Sequence, residues 1–213
     1  MRKIAISIIF VFITLSVFSQ YKYRDANRIG ITAGVNQFSL YTNNFQTKAE
    51  LGWNAGLSMR GNFYNNWDMI YGIQFSGNSF SVSTTSIPLV IEQVNYKLAS
   101  GQLSLLASYK IIDSHLSIEI GPIIQVNGKL EIDSDKVNNV ILGTTLLAKD
   151  IQDISKLNVY PMVGITFGMV HFRANILYQY GLNNILGNLN NQNLGYNFKG
   201  NAGILNGNLI IYL

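Results

Sequence analysis

The chain has 213 residues, enough for one domain, yet only 12% of them are charged and the mean hydropathy is +0.18, against about 25% charged residues in soluble domains. There is no cysteine, which excludes a thiolate metal site, a disulfide framework and a lipoprotein anchor. The formal charge of +4 falls to +2 once Arg2 and Lys3 are set aside with the N-terminal segment, so the basic balance gives no reason to expect nucleic acid.

That segment, MRKIAISIIFVFITLSVFSQ, places Arg2 and Lys3 ahead of an apolar run and ends on Val17 and Ser19. This is the form of a secretory signal peptide, with cleavage expected after Ser19 and Gln20 first in the mature chain. Beyond it, no stretch is apolar for the roughly 18 residues that a spanning helix needs. A chain low in charge and without such a helix suits a membrane protein that crosses with strands.

The first strand is expected over residues 29–38, with Ile31, Ala33 and Val35 on one face and Gly30, Thr32, Gly34 and Asn36 on the other. A polar loop is expected at 41–50. The hairpin over 51–75, LGWNAGLSMRGNFYNNWDMIYGIQF, is the clearest signal in the chain. Leu51, Trp53, Ala55, Leu57, Met59, Phe63, Trp67, Met69, Tyr71, Ile73 and Phe75 form one apolar face, while Asn54, Arg60, Asp68 and Gln74 lie opposite, because strand side chains alternate with period 2. Its turn, Tyr64-Asn65-Asn66, uses asparagine's tolerance of positive φ.

A longer connection is expected at 81–93, then a fourth strand over 101–111 with Leu103, Leu105, Ala107 and Tyr109 apolar and Gln102, Ser104, Ser108 and Lys110 opposite. Asp113-Ser114-His115 forms a short turn. The fifth strand, 116–126, sets Leu116, Ile118, Ile120 and Ile124 outward and Ser117, Glu119 and Gln125 inward. Pro122 lacks a ladder donor, so a bulge or rim position is expected near it. The longest connection, 128–156, contains an apolar patch, VILGTTLLAKDI, expected to fold over the barrel mouth, since exposed it would be a liability. The sixth strand, 157–169, directs Val159, Val163, Ile165 and Phe167 outward; the seventh, 172–182, does so with Phe172, Ala174, Ile176, Tyr178 and Tyr180, and turns Arg173, Asn175 and Gln179 inward. After an Asn-rich loop to 197, the eighth strand presents Leu209, Ile211 and Leu213 on one face.

Connections therefore alternate long and short, with the short turns after the second, fourth and sixth strands. Outer-membrane barrels have this rhythm: an even strand number, tight periplasmic turns and long external loops. The expected fold is all-β, an eight-stranded antiparallel up-and-down transmembrane β-barrel over residues 20–213, preceded by a cleaved signal peptide over 1–19 and located in the outer membrane. Eight strands leave an interior that side chains can fill. Arg60, Asp68, Lys110, Glu119 and Arg173 are then candidates for ion pairs across the lumen. Trp53, Phe63, Trp67, Tyr109, Phe167 and Phe172 are candidates for the aromatic girdles that face lipid at the membrane interfaces.

At residues 172–186, FRANILYQYGLNNIL, the run Tyr178-Gln179-Tyr180-Gly181-Leu182-Asn183-Asn184-Ile185 resembles the "RY-x-YGL-x-NI" strand of the PorT-like outer-membrane β-barrel family. Arg173 precedes Tyr178 by five residues, Leu177 stands where the family's arginine would be, and the chain ends Tyr212-Leu213. The resemblance implies an integral outer-membrane protein without enzymatic activity.

Three other constellations are weaker. His115, Ser117 and Glu119 share a strand face, but residues two apart lie about 7 Å apart whereas a nucleophile and base need about 3 Å. Glu131, Asp133 and Asp135 lack the glycine and terminal glutamate of a calcium loop, and His171 has no companion histidine. No metal or cofactor is expected. The expected partners are outer-membrane lipid, the barrel-assembly machinery and a protein partner through external loops. The expected function is structural or loop-mediated interaction. The alternatives are a narrow, porin-like transport pore for small solutes and a soluble lipocalin-like binder, the last opposed by the inward charges at Arg60, Asp68, Glu119 and Arg173.

Overall fold

Alternation of apolar and polar residues builds strands whose two faces need different surroundings, and closing the sheet on itself supplies both. The computed structural model describes residues 27–86 and 90–213; the expected signal peptide lies outside them. The elements are β1 (Arg28–Thr42), β2 (Thr47–Tyr64), β3 (Trp67–Ser86), β4 (Val90–Ile112), β5 (Leu116–Glu131), β6 (Val140–Ile141), β7 (Leu157–Gly168), β8 (Phe172–Tyr180) and β9 (Gly200–Tyr212). Eight of them pair antiparallel in chain order, and β9 returns to pair with β1. The two-residue β6 stands outside this ring, pinned to the far end of β3 through Thr84↔Ile141 and Thr85↔Val140.

One end of the barrel carries the tight turns. Asn65 (φ 47°) and Ser114 (φ 59°) occupy the left-handed region there, the first as expected for asparagine in a short hairpin. Arg28 donates to the Val170 carbonyl and the Tyr212 amide to His171, so the start of β1 and the end of β9 lie at this same end.

The other end differs from expectation. The connection expected at 81–93 is largely strand: β3 and β4 stay paired from Trp67↔Tyr109 out to Ser86↔Val90. The loop expected at 41–50 shrinks to residues 43–46, and β5 runs on to Glu131. Strands β1–β5, of 15 to 23 residues, therefore continue well past the 9–11 residues that cross a bilayer, whereas β8 has 9; among the described residues, 132–156 and 181–199 make the long connections.

Side-chain parity persists through these extensions, but the chemistry of the two faces is exchanged. On β4 the outward residues read Tyr109, Leu105 and Leu103 near the turn end and Lys97, Asn95 and Gln93 beyond Ser100. Inward residues change in the opposite sense, from Lys110, Ser108 and Gln102 to Leu98, Tyr96 and Val94. The same exchange occurs on β3 between Ser76 and Phe80. Lower strands thus wear an apolar coat, with Leu57, Ile73, Leu103, Ile120, Val163 and Leu209 exposed. Upper strands enclose an apolar core instead.

Pro122 sits neither at a bulge nor at a rim. It lies mid-strand opposite Pro161, and the β5–β7 register runs through the pair without a shift. On the other side, Gly121 and Pro122 have no paired residues on β4, although Ser104↔Ile123 and Ala107↔Ile120 keep register around them. The gaps in pairing fall on the outer sides of the two prolines, toward β4 and β8, and both strands continue.

Candidate functional site

The inward residues form layers along the barrel axis. Nearest the turns is a charged cluster around Arg60. Its Nη1 donates to Asp68 Oδ2 (3.1 Å) and Ser108 Oγ (2.9 Å), its Nη2 to Glu119 Oε1, and its Nε to the Tyr212 hydroxyl (3.4 Å). Lys110 Nζ reaches Asp68 Oδ1 at 3.4 Å and Asp113 Oδ1 at 3.8 Å. Arg60, Asp68 and Glu119 are all buried. Desolvating such charges is expensive, and removing one member leaves another uncompensated. Register assembles the group: Asp68↔Ser108 and Ser108↔Glu119 are directly paired, while Arg60 stands on the neighbouring β2.

Arg173, expected in this network, joins no carboxylate among the described residues. Its Nε donates to the Met169 carbonyl (3.2 Å), and its guanidinium lies 5.8 Å from the centre of the Tyr212 ring. It enters just after the β7–β8 turn, where that carbonyl is nearer than either lumen carboxylate. The Tyr212 ring between the two arginines links the last residue of β9 to the cluster. Its inward position was legible from its parity, opposite to Ile211 and Leu213.

Above the charges, Ile70, Leu106, Leu177 and Ile210 line a cavity of about 50 Å³ with Ser58 and Asn208, whose Oγ and Oδ1 have no hydrogen-bond partner. Such a site has the size and polarity for one or two buried waters.

Carboxamides fill the next layer. Gln102 donates to Gln125 (2.6 Å) and Gln179 (3.2 Å), Gln125 to Asn127 (2.6 Å), Gln74 to Asn54 (2.6 Å) and Asn54 to Asn206 (3.2 Å). Each carboxamide both donates and accepts, so rings of them can satisfy one another without charge.

The external end is closed by an apolar core. Phe80 stacks on Tyr96 with centroids 5.2 Å apart and lies 5.8 Å from Phe38. Onto these rings fold Ile141, Leu146 and Ile151 from the long connection and Leu186, Leu189 and Phe198 from the Asn-rich one, all buried. The patch VILGTTLLAKDI thus covers the barrel mouth as its composition predicts. Tyr96 donates to the Ala148 carbonyl at 2.9 Å, tying that loop to β4. Phe80, Val82, Val94, Tyr96 and Leu98 fall in or beside the expected connection at 81–93. Their alternation with Ser79, Ser81, Gln93, Asn95 and Lys97 is the signal that identifies the strands.

The run over residues 178–185 forms the exit from wall to cap. Gly181 donates to Ala202, and Leu182 to Val159. Asn183 Oδ1 accepts from the Val159 amide (2.9 Å). Asn184 Oδ1 accepts from Gly200 (2.8 Å) and Leu186 (3.2 Å), and its Nδ2 donates to Phe198 (2.8 Å). Ile185 is buried beneath them. Two asparagines thereby satisfy backbone groups where the strand ladder ends.

On the outer surface, Phe63, Trp67, Tyr109, Phe167 and Phe172 gather toward the turn end, with Trp67 and Tyr109 5.0 Å apart at 60°. Trp53 lies toward the external end, directly opposite Gly77, where a Cβ would meet its Nε1 at 2.6 Å. Tyr41, Tyr178 and Tyr180 join it at that level, Tyr41 and Tyr180 being 6.4 Å apart.

The remaining constellations do not assemble. His115 is exposed with Nδ1 against the Asp113 carbonyl (2.8 Å), Glu119 is committed to Arg60, and the Ser117 hydroxyl has no partner. Among the described residues no three of His, Cys, Asp and Glu converge as metal ligands.

A family model described as "Outer membrane protein beta-barrel domain" matches residues 18–187. Among solved structures, Neisserial surface protein A is similar at 11% identity, with 86% of this chain and 96% of that one covered and a TM-score of 0.48. The attachment invasion locus protein Ail of Yersinia pestis is similar at 13% identity, covering 88% and 99%, with a TM-score of 0.45. OprG of Pseudomonas aeruginosa is similar at 10% identity, covering 88% and 96%, with a TM-score of 0.47. No curated protein matches the chain.

Proposed function

We propose, from the premise that this chain belongs to the outer membrane protein β-barrel domain family, that it is a closed, non-conducting barrel working as a structural or interaction protein through its external end. The observation that carries this reading is the double closure of the lumen. Near the turns, Arg60, Asp68 and Glu119 pair across the interior. At the other end, Phe38, Phe80, Tyr96 and the folded loops fill the mouth. Ion passage would require both closures to open, and the structure invests long strands and two loops in the second.

The narrow-pore reading draws on the polar carboxamide layer between the two closures. Single-channel recording in planar bilayers separates the readings. Silence across the voltage range supports the closed barrel; steady unitary steps at low voltage would establish the pore and reject the closed form. No enzymatic role is proposed, because the one Ser-His-acid set is not assembled.

The finer assignment to the PorT-like branch belongs to the same proposal and is supported by the wall-to-cap latch at Tyr178–Ile185. The aromatic residues at the two ends of the apolar coat are assigned to the membrane interfaces, where rings with one wet edge are favoured. Lipid is the partner of that coat, and delivery by the barrel-assembly machinery goes with it. A protein partner would meet the external cap.

A further inference from the structure

We infer that the external end holds a binding site for an anionic saccharide, a sugar chain bearing phosphate or carboxylate, in the cleft between the β1–β2 turn and the lead-in to β9. This inference rests on the external end being the working face. The cleft measures about 1020 Å³, at the top of the range for ligand sites. Its walls are residues 40–47, the Leu142-Gly143 tip of the long loop, and Asn197, Lys199 and Asn201.

The frame is stitched together. Thr42 Oγ1 donates to the Lys199 carbonyl (2.7 Å), Asn44 Nδ2 donates to Asn197 (3.0 Å), and Asn44 Oδ1 accepts from the Lys199 amide (3.0 Å). Thr47 Oγ1 closes the turn onto Leu40 (2.7 Å), and Phe45 is buried beneath it. A backbone frame held this way leaves only the side chains that touch the ligand to be ordered on binding.

Against that frame, the side chains of Asn43, Gln46, Asn197 and Lys199 hold no hydrogen bond or ion pair among the described residues. Three are carboxamides, whose paired donors and acceptor match hydroxyls that also donate and accept. The fourth is an ammonium, a point charge suited to phosphate or carboxylate. No carboxylate lines the cleft. The half-exposed Tyr41 ring offers an apolar face with a polar edge at its lower rim, as a sugar ring requires. Tyr41, Tyr178 and Tyr180 mark the upper limit of the apolar coat, so the cleft opens at the level of lipid headgroups. The saccharide has two sources: the headgroup of a glycolipid in the surrounding leaflet, or a free acidic glycan.

The test uses the full mature protein in detergent, titrated calorimetrically with deacylated, phosphorylated lipopolysaccharide oligosaccharide and with a neutral oligosaccharide bearing neither phosphate nor carboxylate. Intact lipopolysaccharide in nanodiscs forms the second arm, read by native mass spectrometry. We expect saturable binding of the phosphorylated probe. Lys199→Gln weakens it about three- to tenfold and leaves the neutral probe unchanged, whereas Asn43→Ala with Gln46→Ala weakens both. Retention of the intact lipid assigns the headgroup; capture of the soluble probe alone assigns a free glycan. Absence of saturation with either probe, or insensitivity to Lys199→Gln, overturns the site. Neither result alters bilayer conductance, so failure here is distinct from failure of the closed-barrel reading. All three substitutions replace exposed, uncommitted side chains, and heat-modifiable migration verifies that the variants fold.

Discussion

Ser76 and Ser100 face each other inside the barrel with their hydroxyl oxygens 2.8 Å apart, and the sheet changes character at their level. Toward the turns from this pair, the outward face is apolar and the lumen holds the charged and carboxamide layers; beyond it, the outward residues Lys97, Asn95 and Gln93 of β4 are polar and the inward Leu98, Tyr96 and Val94 apolar. The pair therefore marks where the wall leaves the hydrocarbon.

A charge scan across this level tests the boundary. Ile73→Lys, in the apolar coat, should cost about 2–4 kcal/mol if it lies near mid-membrane and abolish the fast-migrating unboiled band on detergent gels. Asn95→Lys, on the same outward face beyond Ser100, should migrate like the parent. Equal tolerance of the two lysines would remove the boundary.

Arg60→Met should destabilise the barrel by about 3–5 kcal/mol, because Asp68 and Glu119 are left buried without their cation. Urea unfolding in lipid vesicles measures it. Adding Glu119→Gln should recover part of the loss, giving a coupling of about 0.5–3 kcal/mol. Strict additivity of the two substitutions would show that the contact contributes nothing.

Tyr96→Phe keeps the ring stacked on Phe80 and removes only the bond to the Ala148 carbonyl. The expected cost is about 1 kcal/mol, read as faster hydrogen exchange across residues 140–151 with β2 and β7 unaffected. Uniform acceleration over the whole barrel would mean that the loop is not a separate unit.

Asn184→Ala strips partners from the Gly200 and Leu186 amides and the Phe198 carbonyl at once. Proteolysis within residues 181–199 should quicken while the barrel core stays protected. Unchanged cleavage there would reject the latch.

Export makes a further prediction. The protein extracted from the outer-membrane fraction should have the mass of a chain beginning at Gln20; a mass that includes Met1 would rule out cleavage after Ser19.

The lower barrel was legible because pleat alternation is local. Leu51 to Phe75 reveals its apolar face residue by residue, and Arg60, Asp68 and Glu119 stand out as charges in otherwise neutral strands. The upper half was hidden by the same rule. Val94, Tyr96 and Leu98 are apolar on the parity opposite to Leu103 and Leu105, so a single lipid-facing strand cannot include both groups, and a loop was the simpler expectation. Pro122 needs no bulge or rim, because antiparallel pairing asks each residue for a donor toward only one neighbour. Arg173 misled because charge alone does not reveal that Met169 is nearer than any carboxylate.

By itself the sequence determined that this chain forms strands, which residues share each face, and that one long stretch of apolar face must meet something other than water. Only the tertiary structure decided where that face turns from lipid to protein, which carboxylates neutralise Arg60, and that the distant loops fill the mouth. Alternation is a property of neighbouring residues, written every two positions. The medium each face meets depends on strands brought alongside from 59 residues away, as Arg60 and Glu119 are, and no local period encodes that.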